Sequence, residues 1–313
     1  MSTNPYLQNI YGHAGVFPIG EPQSRAKFYT GPVRNGGTSK NSFLKAVLET
    51  APDSACEDLE NEALWNTQVR PFMNGNGIRI PRVENHAQGY KWVVFEYLDG
   101  KPIPEVELES YIENVAKLCA AIYDIPLCRE PNGLSGWMKD RIIRFTDARN
   151  ESQLTIELQK AIHDIVDQLD DSRIQAGMIH GDINLKNLLV GRSLGDDIGL
   201  VDSEFGTLTS KPQWDKPRFH DAAYFYHLLH CQFHQPELAE KFKEAFKDEI
   251  KLSPEFDAAT FEAEFNLSVL ERTLSMGNHF PWKQDSNKPI EDPRRLNSQP
   301  YVQLIERSVM ALS

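Results

Sequence analysis

Apolar and polar positions along this 313-residue chain change their period several times. Near the amino terminus, Ala26-Lys27-Phe28-Tyr29-Thr30-Gly31 and Ser42-Phe43-Leu44-Lys45-Ala46-Val47 read as two strands joined by the turn-rich segment Arg34-Asn35-Gly36-Gly37-Thr38. A helix follows. Asp53-Ser54 caps it, Glu57 completes a capping box with Ser54, and it ends near Val69. At about 100° per residue, Leu59, Glu62, Ala63, Trp65 and Val69 share one broad face, with Asp58 and Glu60 to either side. Trp92-Val93-Val94-Phe95 is the continuous apolar run of a buried strand.

Beyond Glu107 the helical period takes over. Leu108, Ile112, Val115, Leu118, Cys119 and Ile122 line one face of a helix from Glu107 to Tyr123. Two more helices, Trp137 to Arg149 and Leu154 to Leu169, are separated by Asn150-Glu151-Ser152. Met178-Ile179 is a short buried strand. Leu188-Leu189-Val190 and Ile198 to Val201 are the arms of a hairpin that turns through Gly191 to Asp197. Helices then return at Phe219 to Leu229, Pro236 to Ile250, Ala258 to Met276 and Tyr301 to Leu312. The pattern predicts an α+β chain, with strands and one helix first and a larger, mostly helical part after them.

The chemistry-bearing side chains cluster around the second hairpin. His180-Gly181-Asp182 is followed by Asn187, both on one loop, and the hairpin brings Asp202 beside Asn187. Phosphoryl transfer needs a carboxylate to receive a hydroxyl proton and hard oxygen ligands to hold Mg²⁺ on phosphates, which these three residues supply. Lys45, flanked by apolar residues within a strand, suits the phosphates; its plainer reading is an edge-strand lysine facing water. An acid on the inward helix face needs a cationic partner, so Glu62 is the partner expected for Lys45, with Glu60 as the alternative.

The order His-Gly-Asp, four residues, Asn, apolar strand, hairpin, apolar strand, Asp resembles the aminoglycoside phosphotransferase and choline kinase family, small-molecule kinases of the protein-kinase-like fold. Protein kinases carry Arg between the His and the Asp, then Asp-Phe-Gly and a later Ala-Pro-Glu. This chain has Gly181 and Asp202-Ser203-Glu204-Phe205-Gly206 instead. The resemblance implies a bilobal fold: a small antiparallel β-sheet lobe with one helix that binds nucleotide, residues 1–98, and a larger helical lobe for catalysis and substrate, residues 99–313.

It further implies a phosphotransferase that moves the γ-phosphoryl group of ATP or GTP to a hydroxyl of a small molecule: an aminoglycoside-like antibiotic, an amino alcohol or a sugar. Asp182 would be the catalytic base, Asn187 and Asp202 the Mg²⁺ ligands, and Lys45 the phosphate grip oriented by Glu62. Adenine would lie against the main chain of Glu96 and Leu98. No Gly-x-Gly-x-x-Gly is present, so Gln23 and Ser24 are the expected phosphate-loop contacts, with Gly12 to Gly15 as a rival location. Asp221, in the first turn of its helix, would hydrogen-bond the catalytic loop, which His180 braces. Lys186 either adds positive charge near the transferred group or faces solvent. The alternatives are a catalytically silent, kinase-like nucleotide-binding module and a protein kinase.

Composition narrows the partners. A formal charge of −12 argues against nucleic acid. Asp140, Glu204, Asp215 and Asp221 would suit an amine-bearing acceptor, and a solvated acidic surface explains the same count. The four cysteines form no Cys-x-x-Cys pair, and no basic-then-apolar leader or apolar stretch near ~18 residues occurs, so a cytoplasmic enzyme without membrane attachment is expected. His227, His230 and His234 recur with Cys231 at helical spacing; with no second ligand cluster in view, they read as surface or groove histidines and not as a metal site.

Overall fold

Strand alternation in the first hundred residues builds a sheet with two different covers. The computed structural model describes residues 4–19, 23–25, 27–35, 41–73, 76–126, 135–148, 154–169, 174, 176–191, 194–195, 197–203, 205–207, 216–254, 256–277 and 299–313. The order begins α1 (Pro5–Ala14), β1 (Val16–Pro18), β2 (Gln23–Arg25), β3 (Phe28–Asn35), β4 (Asn41–Val47), α2 (Ser54–Met73), β5 (Ile78–Arg79), β6 (Val83–His86), β7 (Trp92–Glu96) and β8 (Lys101–Pro102). It continues with α3 (Leu108–Tyr123), α4 (Ser135–Asp147), α5 (Ile156–Gln168), β9 (Ala176–Gly177), β10 (Leu188–Val190), β11 (Ile198–Leu200) and β12 (Lys216–Pro217). The last helices are α6 (His220–His227), α7 (Pro236–Ile250), α8 (Phe261–Gly277) and α9 (Gln299–Leu312). Two compact units result, residues 1–104 with 180–210, and residues 105–179 with 211–313.

In the first unit the antiparallel order is β1-β3-β4-β7-β6, with β2 also paired to β3. Leu44 and Ala46 of β4, with Val33, Trp92 and Val94, face Leu7, Ile10 and Tyr11 of α1. Asn4 caps that helix by accepting from the Tyr6 and Leu7 amides, and Gly15 ends it at φ +67°, a conformation that glycine adopts without strain. On the opposite face, Phe28, Val47, Val93 and Phe95 pack against Ala55, Leu59 and Ala63 of α2. A smaller sheet, β5-β11-β10-β8, holds the 180–210 segment to this unit: Leu188 pairs with Leu200, and Ile198 runs parallel to Ile78.

The second unit is helical. Met138 and Ile142 of α4, Ile162 and Ile165 of α5, Leu267, Leu270 and Leu274 of α8, and Ile305 and Val309 of α9 form one buried cluster. Two expectations need correction here. Strand pairing falls at Ala176–Gly177, against Pro217 and Lys216, and ends before Met178-Ile179, which are buried without a ladder. His227 and His230 are buried, 0% and 8% exposed, because every residue of α6 is enclosed and so are Leu228 to Cys231 in the helical turn that continues it; only His234 of that series is exposed. Helical spacing alone does not tell a polar face from one enclosed on all sides.

Candidate active site

Lys45 sits mid-strand in β4, opposite Thr30 and Val93, and alternation turns it toward α2. Its Nζ stands 2.7 Å from Glu62 Oε2 and 2.7 Å from Asp202 Oδ1, and 4.6 Å from the Phe28 ring centroid. Glu62, not Glu60, is the acid that meets it. Lys45 and Glu62 are buried, whereas the Asp202 side chain is 47% exposed. Burial works against the Lys45 ammonium, but Glu62 and then Asp202 outweigh it and hold its pKa above the ordinary lysine value.

Asp182 and Asn187 share one loop. Asn187 Nδ2 donates to the Asp182 backbone oxygen at 2.9 Å and to Asp182 Oδ2 at 3.1 Å. His180, fully buried, bonds the Val201 carbonyl through Nε2 at 3.0 Å and accepts the Asp182 amide on Nδ1 at 3.3 Å, which puts its proton on Nε2. Gly181 takes φ +89°, and a Cβ there would stand 2.5 Å from the Phe205 carbonyl oxygen, so the position has no room for arginine. Val201 donates its amide to the Asn187 carbonyl at 3.1 Å, which sets Asp202 beside Asn187; Asp202 itself is in the left-handed region at φ +68°.

Helix α2 also contributes residues that sequence reasoning did not place in the site. Asn61 Nδ2 donates to the Gly206 carbonyl at 2.9 Å, and Ser203 Oγ donates to Asn66 Oδ1 at 2.8 Å. Trp65 meets the His180 ring edge-on at 5.2 Å and fills the space where a side chain at position 206 would stand. Asn61, Glu62, Trp65 and Asn66 therefore tie one helix face to the chain on both sides of Asp202. Two buried asparagines in mid-helix were the available signal, since Asn is a poor helix former unless its amide is engaged.

The other expected residues are dispersed. Gln23 and Ser24 are exposed on β2, opposite Thr30 and Tyr29, while their neighbours 20–22 lie outside the described residues. Gly12 is within α1 and Gly15 is its cap, so that rival location is a helix end. The Glu96 amide donates to the Arg82 carbonyl at 2.8 Å, and the Leu98 carbonyl accepts from Gly100 at 3.0 Å. Lys186 is exposed, Asp140 is exposed, and Asp221 is buried in the first turn of α6; Glu204 and Asp215 lie outside the described residues. The Asn187 amide nitrogen is committed to Asp182, which leaves its oxygen to coordinate a cation; with the Asp202 carboxylate this is a hard-oxygen set that fits Mg²⁺. No helix among the described residues is long and apolar enough to cross a membrane.

A model of the phosphotransferase enzyme family matches residues 31–254 of the chain. No curated protein matches it in sequence. Among solved structures, a Ralstonia eutropha protein assigned as an aminoglycoside phosphotransferase superposes with a TM-score of 0.61 at 11% identity, covering 99% of this chain and 98% of its own. The ethanolamine kinase of Plasmodium vivax gives 0.53 at 12% identity, covering 93% and 81%. The choline kinase LicA of Streptococcus pneumoniae gives 0.51 at 13% identity, covering 98% and 97%, and LicA has also been solved in complex with AMP. An antiparallel amino-terminal sheet followed by a helical carboxy-terminal part is thus the protein-kinase-like α+β fold.

Proposed function

The chain belongs to the phosphotransferase enzyme family and acts on an alcohol group, and from that premise we propose that it transfers the γ-phosphoryl group of ATP or GTP to a hydroxyl of a small molecule. One observation carries the residue roles: Lys45 bridges Glu62 and Asp202 at 2.7 Å each, in the same unit as the hydrogen-bonded Asp182 and Asn187.

Asp182 holds the acceptor hydroxyl and takes its proton as the oxygen attacks the γ-phosphorus. The new bond is acceptor oxygen to phosphorus, and the bond that breaks joins the γ-phosphorus to its bridging oxygen, which leaves on the nucleoside diphosphate. Asn187, fixed by its two bonds to Asp182, and Asp202 hold Mg²⁺ through oxygen. When bound, the ion neutralises charge on the phosphates. Lys45, kept charged by Glu62, grips the phosphates and shields the charge that develops there. Adenine lies against the main chain of Glu96 and Leu98, where the Glu96 amide and the Leu98 carbonyl already have partners in the chain. Gln23 and Ser24 cover the phosphates. In this reading residues 1–98 are the nucleotide lobe and 99–313 the catalytic and acceptor lobe, and the LicA complex with AMP supports nucleotide use.

The test is a coupled assay of nucleoside diphosphate release with Mg²⁺-ATP and Mg²⁺-GTP against a panel of hydroxyl acceptors, with Asp182→Asn as control. Acceptor-dependent release that the variant loses establishes the reaction. Nucleotide binding without release under any acceptor points to a silent kinase-like module instead.

A further inference from the structure

Asp202 holds a backbone conformation that residues with side chains rarely take. At φ +68° it lies in the left-handed region, which Asp tolerates better than most but which persists only where the neighbours fix it. The chain before it is pinned twice: the Val201 amide donates to the Asn187 carbonyl at 3.1 Å, and the Val201 carbonyl is bonded to His180 Nε2 at 3.0 Å. The chain after it turns at once, with the Gly206 amide donating to the Ser203 carbonyl at 3.0 Å. Ser203 Oγ, at the start of that turn, donates to Asn66 Oδ1 at 2.8 Å, and both residues are buried, 0% and 2% exposed. Val201 and Ser203 therefore clamp the two backbone dihedrals of Asp202 from either side.

Stability alone does not call for a polar pair at this place. A buried hydroxyl bonded to a buried amide gains little over water, and two apolar side chains of the same shape would serve the core as well. What a hydrogen bond adds is direction. Asn66 stands one turn after Glu62 on the same face of α2. Glu62 meets Lys45 Nζ, and Lys45 Nζ meets Asp202 Oδ1, each at 2.7 Å. Helix α2 thus holds Asp202 at two points, its carboxylate through Lys45 and its backbone through Ser203. The contacts close a ring, Asp202 to Lys45 to Glu62 to Asn66 to Ser203, and the whole ring lies within the first unit. With the lysine contact alone, residue 202 is free to relax toward extended backbone, and its carboxylate then leaves its place beside Asn187.

We propose that Asn66 and Ser203 are positioning residues for the metal-binding carboxylate: their hydrogen bond keeps Asp202 in its left-handed conformation and so sets the affinity of the site for Mg²⁺. The metal half rests on the phosphotransferase reading; the conformational half does not. Neither residue touches the metal or the nucleotide, and both act through Asp202.

Wild type, Ser203→Ala, Asn66→Leu and the double variant are compared by crystallography without ligand, by Mn²⁺ titration in the presence of ADP followed by electron paramagnetic resonance, and by urea melts. We expect residue 202 to leave the left-handed region in Ser203→Ala, and Mn²⁺ to bind about tenfold more weakly or worse in all three variants, the size of loss usual when a group that orients a metal ligand is removed. Ser203→Ala leaves the Asn66 oxygen without its hydroxyl, and Asn66→Leu leaves the hydroxyl without its acceptor, so each melts at lower urea than wild type; the double variant removes both ends of the bond and recovers much of that loss. Metal affinity does not recover with it, and this separates positioning from a purely structural role. Asp202 at positive φ in Ser203→Ala overturns the proposal, as does metal affinity that returns to the wild-type value in the double variant. Equal metal affinity in all four proteins overturns the metal half and leaves the phosphotransferase reading standing. A backbone that relaxes in Ser203→Ala, beside a wild type that binds neither Mn²⁺ nor nucleotide, keeps the conformational half and overturns that reading. If a single variant fails to fold, the double variant carries the same crystallographic and metal measurements.

Discussion

Lys45 Nζ and Glu62 Oε2 stand 2.7 Å apart with each side chain 7% exposed, and Asp202 completes the contact from the far end of the chain's second hairpin. Glu62 therefore fixes where the ammonium points. Glu62→Gln keeps the shape and removes the charge. We expect it to raise the nucleotide KM about tenfold and to lower stability by roughly 2–3 kcal/mol, less than the full cost of breaking a buried pair, because Asp202 still answers Lys45. Nucleotide kinetics and urea melts check both; an unchanged KM removes Glu62 from nucleotide positioning.

Asp202 is engaged by Lys45 and stands beside Asn187, and in the proposed function its charge serves the lysine and the metal together. Asp202→Asn is expected to raise the Mg²⁺ concentration for half-maximal activity by about tenfold or more, since metal affinity follows ligand charge. A Mg²⁺ titration at saturating nucleotide reads this. A shift in kcat with no change in Mg²⁺ dependence would place the metal elsewhere.

Gly206 lies against Trp65, and a Cβ at 206 would fall 2.3 Å from Trp65 Cδ1, inside a ring that is fully buried. Gly206→Ala is expected to destabilise the protein by about 1–3 kcal/mol and to weaken catalysis through displacement of α2, which carries Glu62. Combining it with Trp65→Leu should recover part of the stability, a coupling that a double-mutant cycle measures. Purely additive losses would mean that the indole does not set the position of this glycine.

Much of this site was legible in the sequence because each signal was local. The helical period chose Glu62 over Glu60, and the hairpin around Gly191 set Asp202 beside Asn187. Other features depend on long-range packing. Strands β5 and β11 are two and three residues long, too short for a hydrophobic period, yet their parallel pairing helps join the Asp182 loop to the first unit. Helix α1 carried readable marks, an Asn cap, Pro5 and Gly15, but its apolar face has meaning only with the sheet that it covers. The roles of Asn61 and Asn66 appear only once Gly206 and Ser203 are folded against them.

Lys216 gives the stability of the fold a pH signature. The groups that act on it are Arg272 and Glu271 from α8, Arg141 from α4 and Asp221 from α6, with His220 alongside, and burial followed by Arg272 lowers its pKa to about 8. The unfolded chain, with lysine near its ordinary value, holds more protons between about 8 and 10, so this residue makes the fold gain stability with rising pH across that window. The wild-type curve minus the Lys216→Met curve isolates the contribution. Urea melts of both proteins read it: a difference that stays level from about pH 8 to 10 means that the fold does not lower the pKa of Lys216.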